Sequence, residues 1–171
     1  ADNIREQRFA RGGSTITMQL VKNLYLTKEK TLSRKFQEIL ITWVLENSGI
    51  VSKKRMLEIY FNIIEWGPGV YGIGQASLYY FNKLPYQLTP AESIFLTSII
   101  PMPKSFATTF DKNGELRSGW KNKMKFIASE MFRRGYLETD DLDYDITLRG
   151  QALEDLRKAK QGDDYFVARP W

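Results

Sequence analysis

Apolar and polar positions alternate with a helical period along nearly the whole chain, and turn residues cut the pattern into short pieces. Gly12-Gly13 reads as a hinge and Ser14 as the N-cap of a helix to about Leu26. A charged connection, Thr27 to Ser33, precedes a helix from about Leu32 to Glu46, which Asn47-Ser48-Gly49 stops. Ser52 caps a third helix through about Ile64. Gly67-Pro68-Gly69 and Gly72-Ile73-Gly74 predict a long glycine-rich loop before a short helix, Gln75–Phe81. Thr89-Pro90-Ala91-Glu92 is a capping box with Pro at the first helical position, opening a helix to about Ile100 that Pro101-Met102-Pro103 ends. Further helices are predicted over Ser118–Arg134, with Gly135 as the stop, from the acidic stretch Glu138–Asp145, and over Gly150–Gln161. No sustained period-2 alternation predicts a large sheet. The fold class is mainly α.

Two helices place polar residues unusually. On a wheel of about 100° per residue, Thr15, Gln19, Lys22 and Asn23 share a sector about 100° wide. Ile16, Met18, Leu20, Val21, Leu24 and Tyr25 fill the rest, which predicts a narrow polar stripe on an otherwise buried rod. The stripe reads either as an exposed edge or as the lining of a ligand cleft, which would supply its amides with partners. In the next helix, Ile39-Leu40-Ile41-Thr42-Trp43-Val44-Leu45 points apolar side chains in every direction and predicts a rod at the centre of the fold. Arg34, Glu38 and Thr42 share one face of it. Glu38 reads either as a structural ion pair with Arg34 or as a site carboxylate. With Arg34 and Lys35 beside the amide stripe, it suits a phosphorylated sugar. Glu58 and Asn62, four apart on the third helix, read as a hydrogen-bonded pair that anchors the following loop.

Composition narrows the chemistry. The 171 residues contain no Cys and no His. A disulfide framework, a thiolate metal site, a cysteine nucleophile and a Ser-His-Asp triad are thereby excluded. Catalysis would rest on carboxylates, Lys, Tyr, hydroxyls and backbone amides. The net charge of +5 is concentrated: residues 1–60 hold 11 Lys and Arg against 6 acids, and the remainder holds 14 of each sign. Such an excess suits an anionic partner or a solvated surface. No apolar run reaches the roughly 18 residues of a membrane span. Gly67-Pro68-Gly69-Val70-Tyr71-Gly72 matches G-x-G-x-x-G only formally, because a helix precedes it and Pro68 lacks an amide hydrogen for a pyrophosphate.

Gly12-Gly13-Ser14-Thr15-Ile16-Thr17-Met18-Gln19-Leu20-Val21-Lys22-Asn23 resembles the second motif of the peptidoglycan glycosyltransferases, glycosyltransferase family 51. These are the polymerising domains of class A penicillin-binding proteins and of monofunctional transglycosylases. Arg34-Lys35-Phe36-Gln37-Glu38 resembles their Arg-Lys-x-x-Glu motif. Arg55 to Asn62, Trp66-Gly67, Tyr71-Gly72-Ile73, Ala76 and Tyr80-Phe81-Asn82-Lys83 resemble the next block. The similarity runs from about Phe9 to Ser105.

The resemblance implies a lysozyme-like helical domain that polymerises lipid II on the outer face of the bacterial cytoplasmic membrane. Its partners would be lipid II, the growing glycan chain and, through an N-terminal anchor, the membrane surface, with no nucleic acid. By resemblance Lys22 and Arg34 bind the donor pyrophosphate, Thr15, Gln19 and Asn23 line the donor groove, and Glu38 is an auxiliary catalytic residue or a ligand to a divalent cation such as Mg2+. Moenomycin, the family's lipid-phosphoglycan inhibitor, is expected to occupy the same groove. The family's first motif, Glu-Asp-x-x-Phe-x-x-His, carries the general-base Glu. Eleven residues precede Gly12-Gly13 and none matches that motif, Glu6 included. Met18 replaces a family Gln, and Asn82 a usual Gly. The start at Ala1 reads as a truncation and the end at Trp171 as a second cut. The expectation is one glycosyltransferase domain over 1–171, with 106–171 as its C-terminal helical lobe, inactive as an isolated chain. A non-catalytic lysozyme-like module gripping glycan is the alternative. A glycoside hydrolase would need a second carboxylate across a cleft, and a nucleic-acid binder would need Lys22 and Arg34 on an exposed recognition helix.

Overall fold

A computed structural model of the chain describes residues 15–25, 32–111 and 113–161. They are mainly helical, and the one sheet has two short strands. The chain divides into two compact units, Ala1–Ile64 and Glu65–Trp171.

The first unit holds α1 (Ile16–Tyr25), α2 (Leu32–Asn47) and α3 (Lys53–Ile63), with α1 packed on both of the others. The predicted cap at Ser14 lies outside the described residues. Thr15 caps α1, its Oγ1 accepting from the Met18 amide at 3.2 Å. Ser52 caps α3 as expected, accepting from the Arg55 amide at 3.2 Å.

Two expectations about this unit are overturned. α1 buries only Leu20 and Val21, while Ile16, Leu24 and Tyr25 are exposed. α2 is not a central rod: Phe36, Ile39, Leu40, Trp43 and Val44 are exposed, and the buried residues are Glu38 and Thr42. The polar face of α2 is therefore the inward one. An all-round apolar sequence fixes only that one side meets a non-aqueous or protein surface; it does not say which side meets the rest of the chain.

The second unit opens with a hairpin, β1 (Glu65–Gly67) and β2 (Val70–Tyr71), paired antiparallel where a plain loop was expected. Glu65 ties it, its Oε1 accepting from the Gly69 amide at 3.1 Å and its Oε2 lying 3.6 Å from Lys104 Nζ. A three-residue strand thus stands between α3 and the G-x-G-x-x-G match. It forms no parallel crossover, and the dinucleotide reading stays excluded. α4 (Ile73–Phe81) starts two residues earlier than expected.

α5 (Pro90–Ile99) carries the predicted capping box: Thr89 Oγ1 accepts from the Glu92 amide at 3.2 Å, and Glu92 Oε2 accepts from the Thr89 amide at 2.8 Å. A 3-10 segment, Pro103–Thr109, follows, then α6 (Ser118–Arg133) and α7 (Gly150–Lys160). The core of this unit is aromatic. Tyr80 meets Phe106 edge-on at 5.1 Å and Phe95 at 5.9 Å, and Phe95 meets Phe110 at 5.7 Å. The buried Tyr80 hydroxyl donates to the Trp66 carbonyl at 2.8 Å. A Cβ on Gly67 would lie 2.9 Å from that hydroxyl, so the approach requires glycine.

The acidic stretch 138–145 forms no helix. Asp143 accepts from the Asp145 amide at 2.9 Å and Thr139 from the Asp141 amide at 3.1 Å, local bonds that compete with helix formation. From the end of the stretch onward, Tyr144, Ile146 and Leu148 are buried and the residues between them exposed. This is a short period-2 pattern that a search for sustained alternation passes over.

Candidate functional site

The eight candidate side chains all lie in the first unit: Thr15, Gln19, Lys22 and Asn23 on α1 or its cap, Arg34 and Glu38 on α2, and Glu58 and Asn62 on α3. On α1, Gln19 is half-buried, while Thr15, Lys22 and Asn23 are exposed. Gln19 is fixed from α3: the Tyr60 hydroxyl donates to its Oε1 at 2.8 Å. Tyr60 is 2% exposed, and burial pushes its phenol above the ordinary tyrosine value, so it stays a donor at neutral pH. An anchored carbonyl leaves the amide nitrogen of Gln19 oriented at no further entropic cost. Sequence reading passed over Tyr60. Its signal lay in the spacing of Met56 and Tyr60, four apart and the two buried residues of α3.

On α2, Glu38 is 2% exposed and accepts from Lys35 Nζ at 2.8 Å. Its described partner is thus Lys35 at i−3, where the sequence pointed to Arg34 at i−4; both spacings bring helix neighbours together. Thr42 Oγ1 donates to the Glu38 carbonyl at 2.7 Å. Arg34, half-buried, stands in the first turn of α2, and Lys22 in the last turn of α1. The two cations flank the connection 26–31. Lys22 is exposed and makes no ion pair among the described residues.

Thr15 is partly committed, because its oxygen caps α1. Glu58 and Asn62 are exposed, and their hydrogen bond runs from Asn62 Nδ2 to the Glu58 backbone carbonyl at 2.8 Å. The Glu58 carboxylate instead accepts from Arg55 Nη1 at 2.6 Å.

A resident divalent cation needs several hard oxygen ligands. Among the described residues no group of three or more acidic, His or Cys side chains gathers. Glu38 brings one carboxylate, with an ammonium already on Oε1. These residues do not build a cation site by themselves, and no step below passes through a metal.

The described helices present cations and neutral amides, groups whose chemistry suits an anionic, hydroxyl-rich ligand. A family model for transglycosylases matches residues 1–132. The chain is 50% identical over 106 residues to a biosynthetic peptidoglycan transglycosylase of Nitrosomonas europaea, a match covering 62% of this chain and 43% of that protein. It is 48% identical over 104 residues to one of Paraburkholderia xenovorans, covering 61% of this chain and 42% of the relative. With one of Dechloromonas aromatica it is 45% identical over 129 residues, 75% of this chain and 53% of the relative. The chain belongs to the transglycosylase family and has a mainly helical, lysozyme-like fold. The matches span about half or less of these relatives' own length.

Proposed function

We propose that the chain binds the donor in peptidoglycan polymerisation: a lipid II-type glycan held by its pyrophosphate at Lys22 and Arg34, with Gln19, Asn23 and Thr15 along the sugar. In the reaction of the whole protein, the acceptor's 4-hydroxyl attacks C1 of the donor and gives its proton to the general-base Glu that the family carries in its first motif. The C1–oxygen bond to the lipid pyrophosphate breaks, and that pyrophosphate leaves with the bonding pair. Cations at the leaving group stabilise the charge it gains. The observation that carries this is the α1–α2 pair, which brings an exposed Lys22 and the first-turn Arg34 to either side of one connection, beside a Gln19 clamped by Tyr60.

The ion pair of Glu38 with Lys35 supports a positioning role for Glu38 at this cationic edge. It is buried and bound to Lys35, a poor arrangement for taking a proton from an acceptor hydroxyl. A divalent cation shared by Glu38 and the donor would draw its remaining oxygens from the pyrophosphate. With no counterpart of the general-base motif in the 171 residues, this chain alone is expected to bind donor without polymerising it.

The substrate's lipid sets the work at the outer face of the cytoplasmic membrane. The exposed apolar side chains of α2 support contact with lipid there. No described helix is long and apolar enough to cross a membrane. The family model runs across the boundary at 64/65, and α7 packs on α4, which supports one glycosyltransferase domain with 106–171 as part of it.

The test is lipid II polymerisation beside lipid II binding. The chain should retain lipid II and form no glycan, and Lys22→Ala should lose retention. Full polymerisation by the chain, or retention unaffected by Lys22→Ala, would contradict the proposal.

A further inference from the structure

The second unit holds a cavity of about 370 Å3 beside the hairpin, lined among others by Tyr71, Gln75, Leu78, Tyr79, Asn82 and Gln151. That volume is within the range of roughly 300–1,000 Å3 usual for small-ligand sites. No charged side chain lines it, in a chain of which 26% is charged. Three primary amides do, from the first turn of α4, the residue after its end, and the first turn of α7. Gln75 and Asn82 are exposed and make no side-chain hydrogen bond within the described residues. Gln151 spends only its nitrogen, donating to Asp155 Oδ1 at 3.0 Å, which leaves its carbonyl oxygen as an acceptor. Tyr79 is locked by donating its hydroxyl to Asp155 Oδ2 at 2.6 Å, so its ring is a fixed wall. The Tyr71 ring is 49% exposed.

The wall is built, and at some conformational cost. Asn82 has φ 52°, the one left-handed non-glycine among the described residues. Glycine would make that helix end more cheaply and would leave no amide there. Gly150, at φ 58°, begins α7 hard against the end of α4, where a Cβ would lie 3.3 Å from the Leu78 carbonyl oxygen. The Arg149 amide donates to the Tyr80 carbonyl at 2.8 Å and holds the two elements together.

We infer that this cavity is a binding site for neutral saccharide units, separate from the donor residues at positions 15–38. Uncharged amides match hydroxyl and acetamido groups, which offer both donors and acceptors. Tyrosine rings offer apolar faces to sugar C–H groups. A phosphate or carboxylate would find no cation in the lining. A peptide is the poorer fit, because β2 has two residues and offers little edge for strand addition.

The full chain, labelled with 15N, is titrated with the β-1,4-linked tetramer of N-acetylglucosamine and followed by amide chemical shifts. Shifts should concentrate at Tyr71, Gln75, Asn82 and Gln151. Asn82→Gly keeps the left-handed turn, and Gln75→Ala changes an exposed helix position, so neither variant should melt below the parent. Each should weaken the tetramer by about threefold to tenfold, the scale of one lost hydrogen bond. No shift at these amides up to the tetramer's solubility, or unchanged affinity in either variant, overturns the inference. So does a neutral tripeptide that moves these amides when the tetramer does not. Moenomycin binding at Lys22 is a separate readout, and its failure would leave these shifts untouched.

Discussion

At the residue scale, the Tyr60–Gln19 hydrogen bond joins α3 to the polar stripe of α1 and is the contact most exposed to test. Tyr60→Phe leaves the ring packing and orphans the Gln19 carbonyl. A loss of about 1 kcal/mol in urea unfolding is expected, with weaker donor retention; unchanged values would mean that the bond holds nothing. The phenols give a pH prediction. Burial raises Tyr60, Tyr79 and Tyr80 above their ordinary value, and for Tyr79 the hydrogen bond to Asp155 adds to the effect. Their folded values exceed the unfolded one, so their contribution is complete below about pH 10 and is lost as pH rises past it. Urea midpoints should hold between pH 7 and pH 9 (roughly the range below phenol ionisation) and fall above it. Tyr79→Phe should blunt the fall. A midpoint that rises on the alkaline side would reverse the assigned sign.

At the element scale, the helix ends separate what sequence reveals from what it hides. Ser52, Thr89 and the stop before Gly135 could be read directly, because a cap is satisfied by residues three positions away. The orientation of α2 could not. Its apolar residues surround the axis, and only contacts with α1 decide that Glu38 and Thr42 turn inward. The 144–148 segment was legible in principle, but three buried positions are too few to stand out beside a run of acids. The candidate residues of α1 and α2 were readable as types on faces, whereas the clamp from Tyr60 spans 41 positions and exists only in three dimensions. Thr89→Ala should cost about 1 kcal/mol in thermal or urea unfolding. Gly150→Ala should cost at least as much, since φ 58° and the nearby Leu78 carbonyl both oppose a Cβ, at about 1–2 kcal/mol for the backbone alone. Neutral behaviour of Gly150→Ala would show that the α4–α7 junction is looser than described.

At the scale of the whole molecule, charge and apolar exposure fall in the same region. The first 60 residues carry the entire net positive excess, and α2 in that region exposes Phe36, Ile39, Leu40, Trp43 and Val44. Exposed Lys22 and Lys35 on α1 and α2, with the apolar side chains of α2, suit an anionic, apolar interface such as a lipid-bearing phosphate at a membrane. The chain should therefore co-sediment with vesicles containing phosphatidylglycerol. Salt should weaken that binding, and Trp43→Ser with Leu40→Ser should weaken it further at fixed salt. Equal sedimentation with neutral vesicles at every salt concentration would argue against the electrostatic half of this account.

The central claim is that Lys22 and its neighbours on α1 and α2 hold the pyrophosphate of a lipid-linked glycan. Calorimetric titration of the folded chain with moenomycin, beside Lys22→Ala and Glu38→Gln, tests it most directly. The chain should bind, Lys22→Ala should abolish binding, and Glu38→Gln should weaken it by disturbing the Lys35-bound edge of α2. Binding that survives Lys22→Ala unchanged, or none by a demonstrably folded chain, would contradict the claim.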